Sequence, residues 1–152
     1  MYARILVPVD GSGTSERGLE EAIALARRLG SSLHVLNVAD AREPGAEAST
    51  YAPSSQLVED WQIAGERLVP EAVARARSQG VSAQGVVRHD TTQRVCDLIV
   101  QEAKNIAAGL IVMGTHGRRG AARLALGSDA ELVARASPVP VLLVRGSSTS
   151  GW

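Results

Sequence analysis

The sequence contains no phenylalanine, and its aromatic residues are limited to two tryptophans and two tyrosines. A chain of 152 residues has the size of one ordinary domain, so its core must be built from aliphatic side chains. Cysteine is almost as scarce. The single Cys96 excludes an internal disulfide and a cysteine-rich zinc site, which fits a reducing compartment. We expect Cys96 to be a buried structural thiol.

An excess of charge of either sign is also missing, because sixteen basic and sixteen acidic residues cancel. No global electrostatic footprint therefore points to nucleic acid or to an anionic membrane. No run approaches the roughly 20 apolar residues of a membrane span, and the first residues lack the layout of a signal peptide. We expect a soluble cytoplasmic protein with neither a nucleic acid nor a membrane as partner.

Two common nucleotide-binding motifs are absent. The chain has no Gly-x4-Gly-Lys-Ser/Thr sequence, and its only lysine is Lys104. It also has no Gly-x-Gly-x-x-Gly after the first predicted strand, so a P-loop kinase or GTPase and a nicotinamide dehydrogenase are both disfavoured. No Ser-His-Asp or Cys-His arrangement can be argued, and we assign no catalytic residue and no resident metal site.

Five apolar runs alternate with four segments of helical periodicity. This βαβαβαβαβ order predicts a doubly wound parallel sheet with helices on both faces. Ligands of such sheets bind outside the carboxyl ends of the strands, where the winding reverses. The predicted strands cover residues 4–9, 33–38, 81–88, 110–113 and 139–145.

The helix boundaries carry their own signals. The first helix should end at Gly30, and the second should run from Leu57 as one helix with a kink or local break at Pro70. Thr91 or Thr92 is expected to cap the third helix. The fourth should start at Ser128 because residues 128–131 have the Ser-x-x-Glu form of a capping box. The loop 40–55 is long enough to be functional or disordered.

The most informative stretch is 110–128. Its apolar run ends at Gly114, Gly117 follows, and Gly127 and Ser128 directly precede a helical segment. Glycines allow a ligand to approach the backbone, and the N–H groups and dipole at a helix N-terminus attract anions. The stretch therefore predicts a phosphate site. Asp10, at the end of the first strand, faces the same crevice if strands one and four are neighbours.

The chain resembles the universal stress protein family, in its single-domain, nucleotide-binding type. The resemblance rests on residues 5–12, on residues 138–144 and on the Gly-x2-Gly-x9-Gly-Ser/Thr motif formed by 114, 117, 127 and 128. It implies a Rossmann-like, adenine nucleotide alpha hydrolase-like fold with strand order 3-2-1-4-5. The domain would span 1–146, followed by a flexible tail at 147–152. It also implies bound ATP and a homodimer formed through strand five, at Val141, Leu142, Leu143 and Val144.

The resemblance assigns roles position by position. Asp10 would bond the ribose hydroxyls, with Pro8 and Val9 nearby, and Val38 would meet adenine through its backbone. The remaining positions would line the adenosine (Met113, Gly114) and hold the phosphates (Gly117, Gly127, Ser128). Asp129 departs from the small or apolar residue usual after the Gly-Ser pair. Its charge would weaken phosphate contacts or require Mg²⁺, unless Arg118 and Arg119 offset it.

Several of these residues have a simpler interpretation. Asp10 could serve simply to form an Asx turn, and Ser128 could serve simply as the N-cap of its helix. His116 is more readily a solvated loop residue than an acid–base group, and His34 and His89 are expected to be surface or strand-end histidines. The arginines of the glycine loop either contact phosphate or are solvated; they are Arg118, Arg119 and Arg123.

Three functions remain open at this point. The first is a universal stress protein that binds ATP as a ligand or slow switch in the stress response. The second is a slow Mg²⁺-dependent ATPase or phosphotransfer enzyme, with the ion near Asp10 or Asp129. The third is a nucleotide-free interaction module that uses the edge of strand five and the loop 40–55.

Overall fold

A computed structural model describes residues 1–39, 54–90, 92–116 and 126–146. Within these ranges five strands alternate with four helices, as predicted. The elements are β1 Arg4–Pro8, α1 Gly13–Leu29, β2 Ser32–Ala39, α2 Ser55–Ser78, β3 Ala83–His89, α3 Val95–Asn105, β4 Leu110–Gly114, α4 Ser128–Ala136 and β5 Val141–Val144. None of the helices in the described ranges is long and apolar enough to span a membrane.

The five strands form one sheet in the order β3-β2-β1-β4-β5, and every pair is parallel. The predicted fold and strand order are therefore confirmed. β1 is the central strand; Ile5 is paired with Leu33 of β2 on one side and with Leu110 of β4 on the other. The winding reverses between β1 and β4, so a crevice opens at their carboxyl ends.

Each face of the sheet packs against its own helices. Ile5 and Val7 point into an aliphatic core shared with α1 and α2, whereas Leu6 points into a second core shared with α3 and α4. This alternation of buried side chains explains why β1 is apolar from Ile5 to its end at Pro8. Cys96 lies in the second core and is 3% exposed, so the prediction of a buried thiol is confirmed.

The first two helices begin and end largely as the sequence indicates. Ser12 caps α1 by accepting the N–H of Ser15 at 3.2 Å, and Gly30 ends the helix with a φ of 68°. α2 runs unbroken through Pro70, which confirms a single helix in this region. The predicted loop 40–55 lies outside the described residues as far as position 53, as does the predicted tail 147–152.

The expected threonine cap of α3 is wrong for Thr92, and Thr91 lies outside the described residues. The helix begins at Val95, after Arg94, without a side-chain cap. Asp90 binds Thr92 instead: its Oδ1 accepts the Thr92 N–H at 2.7 Å and the hydroxyl at 2.6 Å. These bonds, above all that from the hydroxyl, lower the pKa of Asp90 from 3.8 to about 2. Thr92 is therefore engaged in a local turn with Asp90 and does not cap α3.

α4 begins at Ser128 as predicted, but the capping-box explanation is wrong. Gly127 occupies the N-cap position, Ser128 is the first helical residue, and no side chain caps the helix. The N–H of Glu131 donates to the carbonyl of Gly127 at 2.9 Å. Ser128 is therefore not the N-cap, and its hydroxyl does not cap the helix.

Candidate functional site

Three segments meet at the carboxyl edge of β1 and β4. The turn after β1 contains Asp10, and Thr115 and His116 follow β4. The hydroxyl of Thr14 in α1 donates to the carbonyl of His116, and the N–H of Gly127 donates to the carbonyl of Thr115 at 2.8 Å. These bonds join the Asp10 turn, the start of the glycine loop and the start of α4 around one crevice.

Asp10 shapes the turn that leaves β1. Its Oδ1 accepts the N–H of Ser12 at 2.8 Å, its own N–H donates to Ser15 Oγ at 3.1 Å, and Gly11 supplies a φ of 80°. The Asx turn considered above is therefore present. A carboxylate offers about four acceptor positions, so this turn and a ligand hydroxyl can share it.

Gly114 is required by close packing of α1 on β4. A Cβ added at this position would lie 2.8 Å from the backbone carbon and oxygen of Thr14 and 3.0 Å from the nitrogen of Ser15. From the other side, a Cβ on Gly18 would lie 3.2 Å from the nitrogen of Gly114. The sequence pattern had indicated only that Gly114 allows a ligand to approach the backbone. Gly18 within the apolar pattern of α1 was the signal that could have shown this helix–strand contact.

Gly127 is constrained by space in the same way. Its φ of −59° is open to any residue, but a Cβ would lie 2.8 Å from the carbonyl oxygen of Thr115. The absence of a side chain brings the N-terminus of α4 against the end of β4. Such a helix start presents backbone N–H groups and a partial positive charge. The other predicted loop contacts, Gly117, Arg118, Arg119 and Arg123, lie outside the described residues.

The predicted adenosine positions also lie at this edge of the sheet. Val38 is near the end of β2, and its half-buried side chain packs on the core formed with α3 and α4. Met113 belongs to the same core and is 7% exposed. Pro8 and Val9 close β1 beside them, with the N–H of Val9 bonded to the carbonyl of Leu36 at 2.8 Å.

The charge around the start of α4 is mixed. Asp129 and Glu131 are both in its first turn, and Glu131 pairs with Arg135 at 2.7 Å. Burial raises the pKa of the Cys96 thiol, and the carboxylates of Asp97 and Asp129 act in the same direction. Across the described ranges, no cluster of three or more His, Cys, Asp or Glu side chains could hold a metal ion.

Two of the three histidines are half-buried or exposed, but His34 is not. His116 bonds Thr115 Oγ1 through Nδ1 at 2.9 Å, and His89 is exposed at the end of β3 as expected. The expectation of a surface or strand-end histidine is not met by His34, which lies within β2, is 8% exposed and bonds Glu102 at 2.9 Å. Since β2 is covered on both faces, any residue in its middle had to be buried; that was the available signal.

A doubly wound parallel α/β fold with its switch point between β1 and β4 defines the class of protein. The family model described as "Universal stress protein family" matches residues 1–145, and the chain belongs to this family.

A relative from Thermus aquaticus, named "Universal stress protein in QAH/OAS sulfhydrylase 3'region", is 34% identical over 155 residues, covering 95% of this chain and 100% of its own. Among solved structures, a universal stress family protein from Burkholderia pseudomallei is 31% identical with a TM-score of 0.75, covering 94% of this chain and 96% of its own. A universal stress protein in complex with cAMP is 28% identical with a TM-score of 0.67, covering 96% and 99%.

Proposed function

We propose that this protein binds ATP in the crevice between β1 and β4 and uses it as a ligand or slow switch in the stress response. The observation that carries the proposal is the junction of the Asp10 turn with the N-terminus of α4, made by the bonds of Thr14 to His116 and of Gly127 to Thr115. Support for an adenine nucleotide comes from the related structure that holds cAMP.

In this proposal the ends of the strands bind the nucleoside, and the start of α4 and the glycine loop bind the phosphates. The carboxylate of Asp10 accepts the ribose hydroxyls, with Pro8 and Val9 beside it. Val38, Met113 and Gly114 line the adenosine. The phosphates meet the backbone N–H groups at Gly127 and Ser128, where the dipole of α4 favours anions, and they meet Gly117 and Arg118 from the glycine loop.

Asp129 leads us to propose that ATP binds together with Mg²⁺. A carboxylate in the first turn of α4 favours the helix dipole, but it repels a triphosphate bound at the same N-terminus. A divalent ion carried by the nucleotide offsets that repulsion. Affinity for ATP should therefore depend on Mg²⁺, and Asp129→Asn should reduce this dependence.

Calorimetric titration with ATP, with and without Mg²⁺, tests the proposal. Asp10→Asn keeps one side-chain oxygen for the Ser12 N–H but removes the charge, so it should preserve the turn. We expect ATP to bind about 10- to 100-fold more weakly, since hydrogen bonds to charged groups contribute about 1.5–3 kcal/mol. Glu71→Gln, which changes an exposed carboxylate on α2, is the control and should bind as the parent does. No binding by the parent at millimolar ATP and Mg²⁺ would overturn the proposal.

We also propose that the protein is a homodimer formed through β5. The two edges of the sheet differ in character. Along β3 the exposed positions include Gln84, Arg88 and His89, whereas β5 is made of Val141, Leu142, Leu143 and Val144. Polar and charged edge residues discourage pairing with another chain, and an apolar edge favours it.

A further inference from the structure

Asn37 is a buried amide in an aliphatic core, directly beside the Asp10 turn. It lies on β2, is 6% exposed, and its Nδ2 donates to the carbonyl of Val9 at 2.8 Å. We propose that Asn37 is a positioning residue that fixes Val9, and through it the Asp10 carboxylate, for nucleotide binding. This inference rests on the proposed function.

The bond from Asn37 continues the attachment of β1 beyond the regular ladder. Pairing of β1 with β2 ends at Pro8, opposite Leu36. The next residue, Val9, is held twice: its N–H donates to the carbonyl of Leu36 at 2.8 Å, and its carbonyl accepts the Asn37 side chain. The peptide that leads into Asp10 therefore has its direction set by β2.

The hydrogen bonds of Asp10 described above come from Ser12 and Ser15, which follow it closely in sequence. Those bonds shape the turn internally. The Asn37 amide instead ties the residue before Asp10 to a different strand. Its removal should leave the turn able to form but less tightly fixed to β2, because Val9 would lose one of its two bonds to that strand and retain the N–H bond to Leu36.

α2 contains a matching feature. Gly65 is buried and covers the Asn37 side chain; a Cβ on Gly65 would collide with Oδ1 and would lie 3.1 Å from Cγ1 of Val87. A glycine inside a helix is destabilising relative to alanine, and a buried amide loses hydration that an aliphatic residue would not. Gly65 and Asn37 are both locally unfavourable, and together they allow the single hydrogen bond from Asn37 to the Val9 carbonyl. Such a combination is expected where function constrains the sequence.

The first test measures ATP affinity with Mg²⁺ by calorimetry, well below the unfolding temperature. Asn37→Leu keeps a side chain of similar size but removes the donor, and it should weaken ATP binding at least tenfold. Glu102→Gln changes an equally buried polar residue on the other face of the sheet and should alter affinity less than twofold. An unchanged affinity in Asn37→Leu, or an equal loss in Glu102→Gln, would contradict the proposal.

A double-mutant cycle separates positioning from general destabilisation. Gly65→Ala should displace the Asn37 amide and weaken ATP binding in the parent. In an Asn37→Ala background the collision with Oδ1 is gone and only Cγ1 of Val87, at 3.1 Å, must adjust to the added methyl, so Gly65→Ala should then cost little stability and leave affinity unchanged. Additive effects of the two substitutions on affinity would show that the two residues act independently and would refute the coupling.

Amide hydrogen exchange tests the positioning role of Asn37 separately from ATP binding. If the parent binds no ATP, the proposed function fails, but exchange can still show whether Asn37 holds the turn. Asn37→Leu should accelerate exchange of the Asp10 and Ser12 amides at least tenfold while leaving the amides of α3 unchanged. Unchanged exchange at Asp10 and Ser12 would refute the positioning role whatever the outcome with ATP.

Discussion

Gly114 lies where the first turn of α1 meets β4, and any side chain there would run into backbone atoms that cannot rotate away. Gly114→Ala places a Cβ 2.8 Å from the carbonyl group of Thr14. We expect a loss of about 1–3 kcal/mol in the free energy of unfolding, the usual cost of overpacking. Urea denaturation of the protein without nucleotide measures it.

Gly13→Ala is the matched control, because a Cβ on Gly13, at the start of the same helix, has nothing within 4 Å. It should leave stability unchanged or slightly higher, since alanine favours helix. Equal stability of the two variants would show that α1 can move away from β4. Loss of nucleotide binding in a Gly114 variant is therefore not proof of a ligand contact, whereas Asp10→Asn avoids this ambiguity.

The same residue shows why sequence reasoning reached the candidate site without explaining all of it. The spacing of Gly114, Gly117, Gly127 and Ser128 in a strand–loop–helix context predicted a candidate site at the carboxyl ends of β1 and β4. The reason for Gly114 lies about a hundred residues away, in the backbone of Thr14, and the slot for Asn37 is made by Gly65 of α2. Contacts between positions so far apart leave no periodic pattern in the chain.

At the scale of elements, a polar cluster around the buried Glu102 ties α3 to β2 and β3. Glu102 of α3, whose side chain is 4% exposed, accepts from Arg88 at 3.0 and 3.1 Å and bonds His34 at 2.9 Å. Gln84 approaches the other ring nitrogen of His34 at 3.3 Å. Because β3 is an edge strand, this cluster adds a side-chain connection where the sheet has only one neighbouring strand.

Glu102→Gln should loosen this connection. The substitution keeps the shape of the side chain but removes the charge that accepts from Arg88, and we expect the free energy of unfolding to fall by about 1–3 kcal/mol. Denaturant melts of Glu71→Gln provide the comparison, since the Arg67–Glu71 pair is exposed and such pairs contribute little. A Glu102 variant as stable as the Glu71 variant would mean that the cluster has no net stabilising effect.

Element order was predictable because hydrophobic periodicity and glycine stops are local signals. The ends of the elements were less predictable, because hydrogen bonds of neighbouring residues determine where each helix or strand begins. Asp90 draws Thr92 into a turn before α3, and Gly127 rather than Ser128 takes the N-cap of α4. β5 begins at Val141, later than predicted; it follows Pro140, which has no N–H to donate to a ladder.

At the scale of the whole molecule, the unequal edges of the sheet predict how two copies meet. Pairing through β5 would extend the sheet across both subunits and cover the apolar side chains of that strand. Leu142 is 39% exposed and is the most exposed of them, so it offers a position at which a charge disturbs association more than folding.

Leu142→Arg should therefore convert a dimer into a monomer. Two guanidinium groups brought together at the interface would repel each other and lose hydration, whereas in the isolated subunit the side chain reaches water. Light scattering after size-exclusion chromatography gives the mass directly. Ile63→Arg makes the same chemical change at a 59% exposed position on α2 and should remain dimeric. A monomeric parent at tens of micromolar, or a dimeric Leu142→Arg variant, would show that β5 is not the interface.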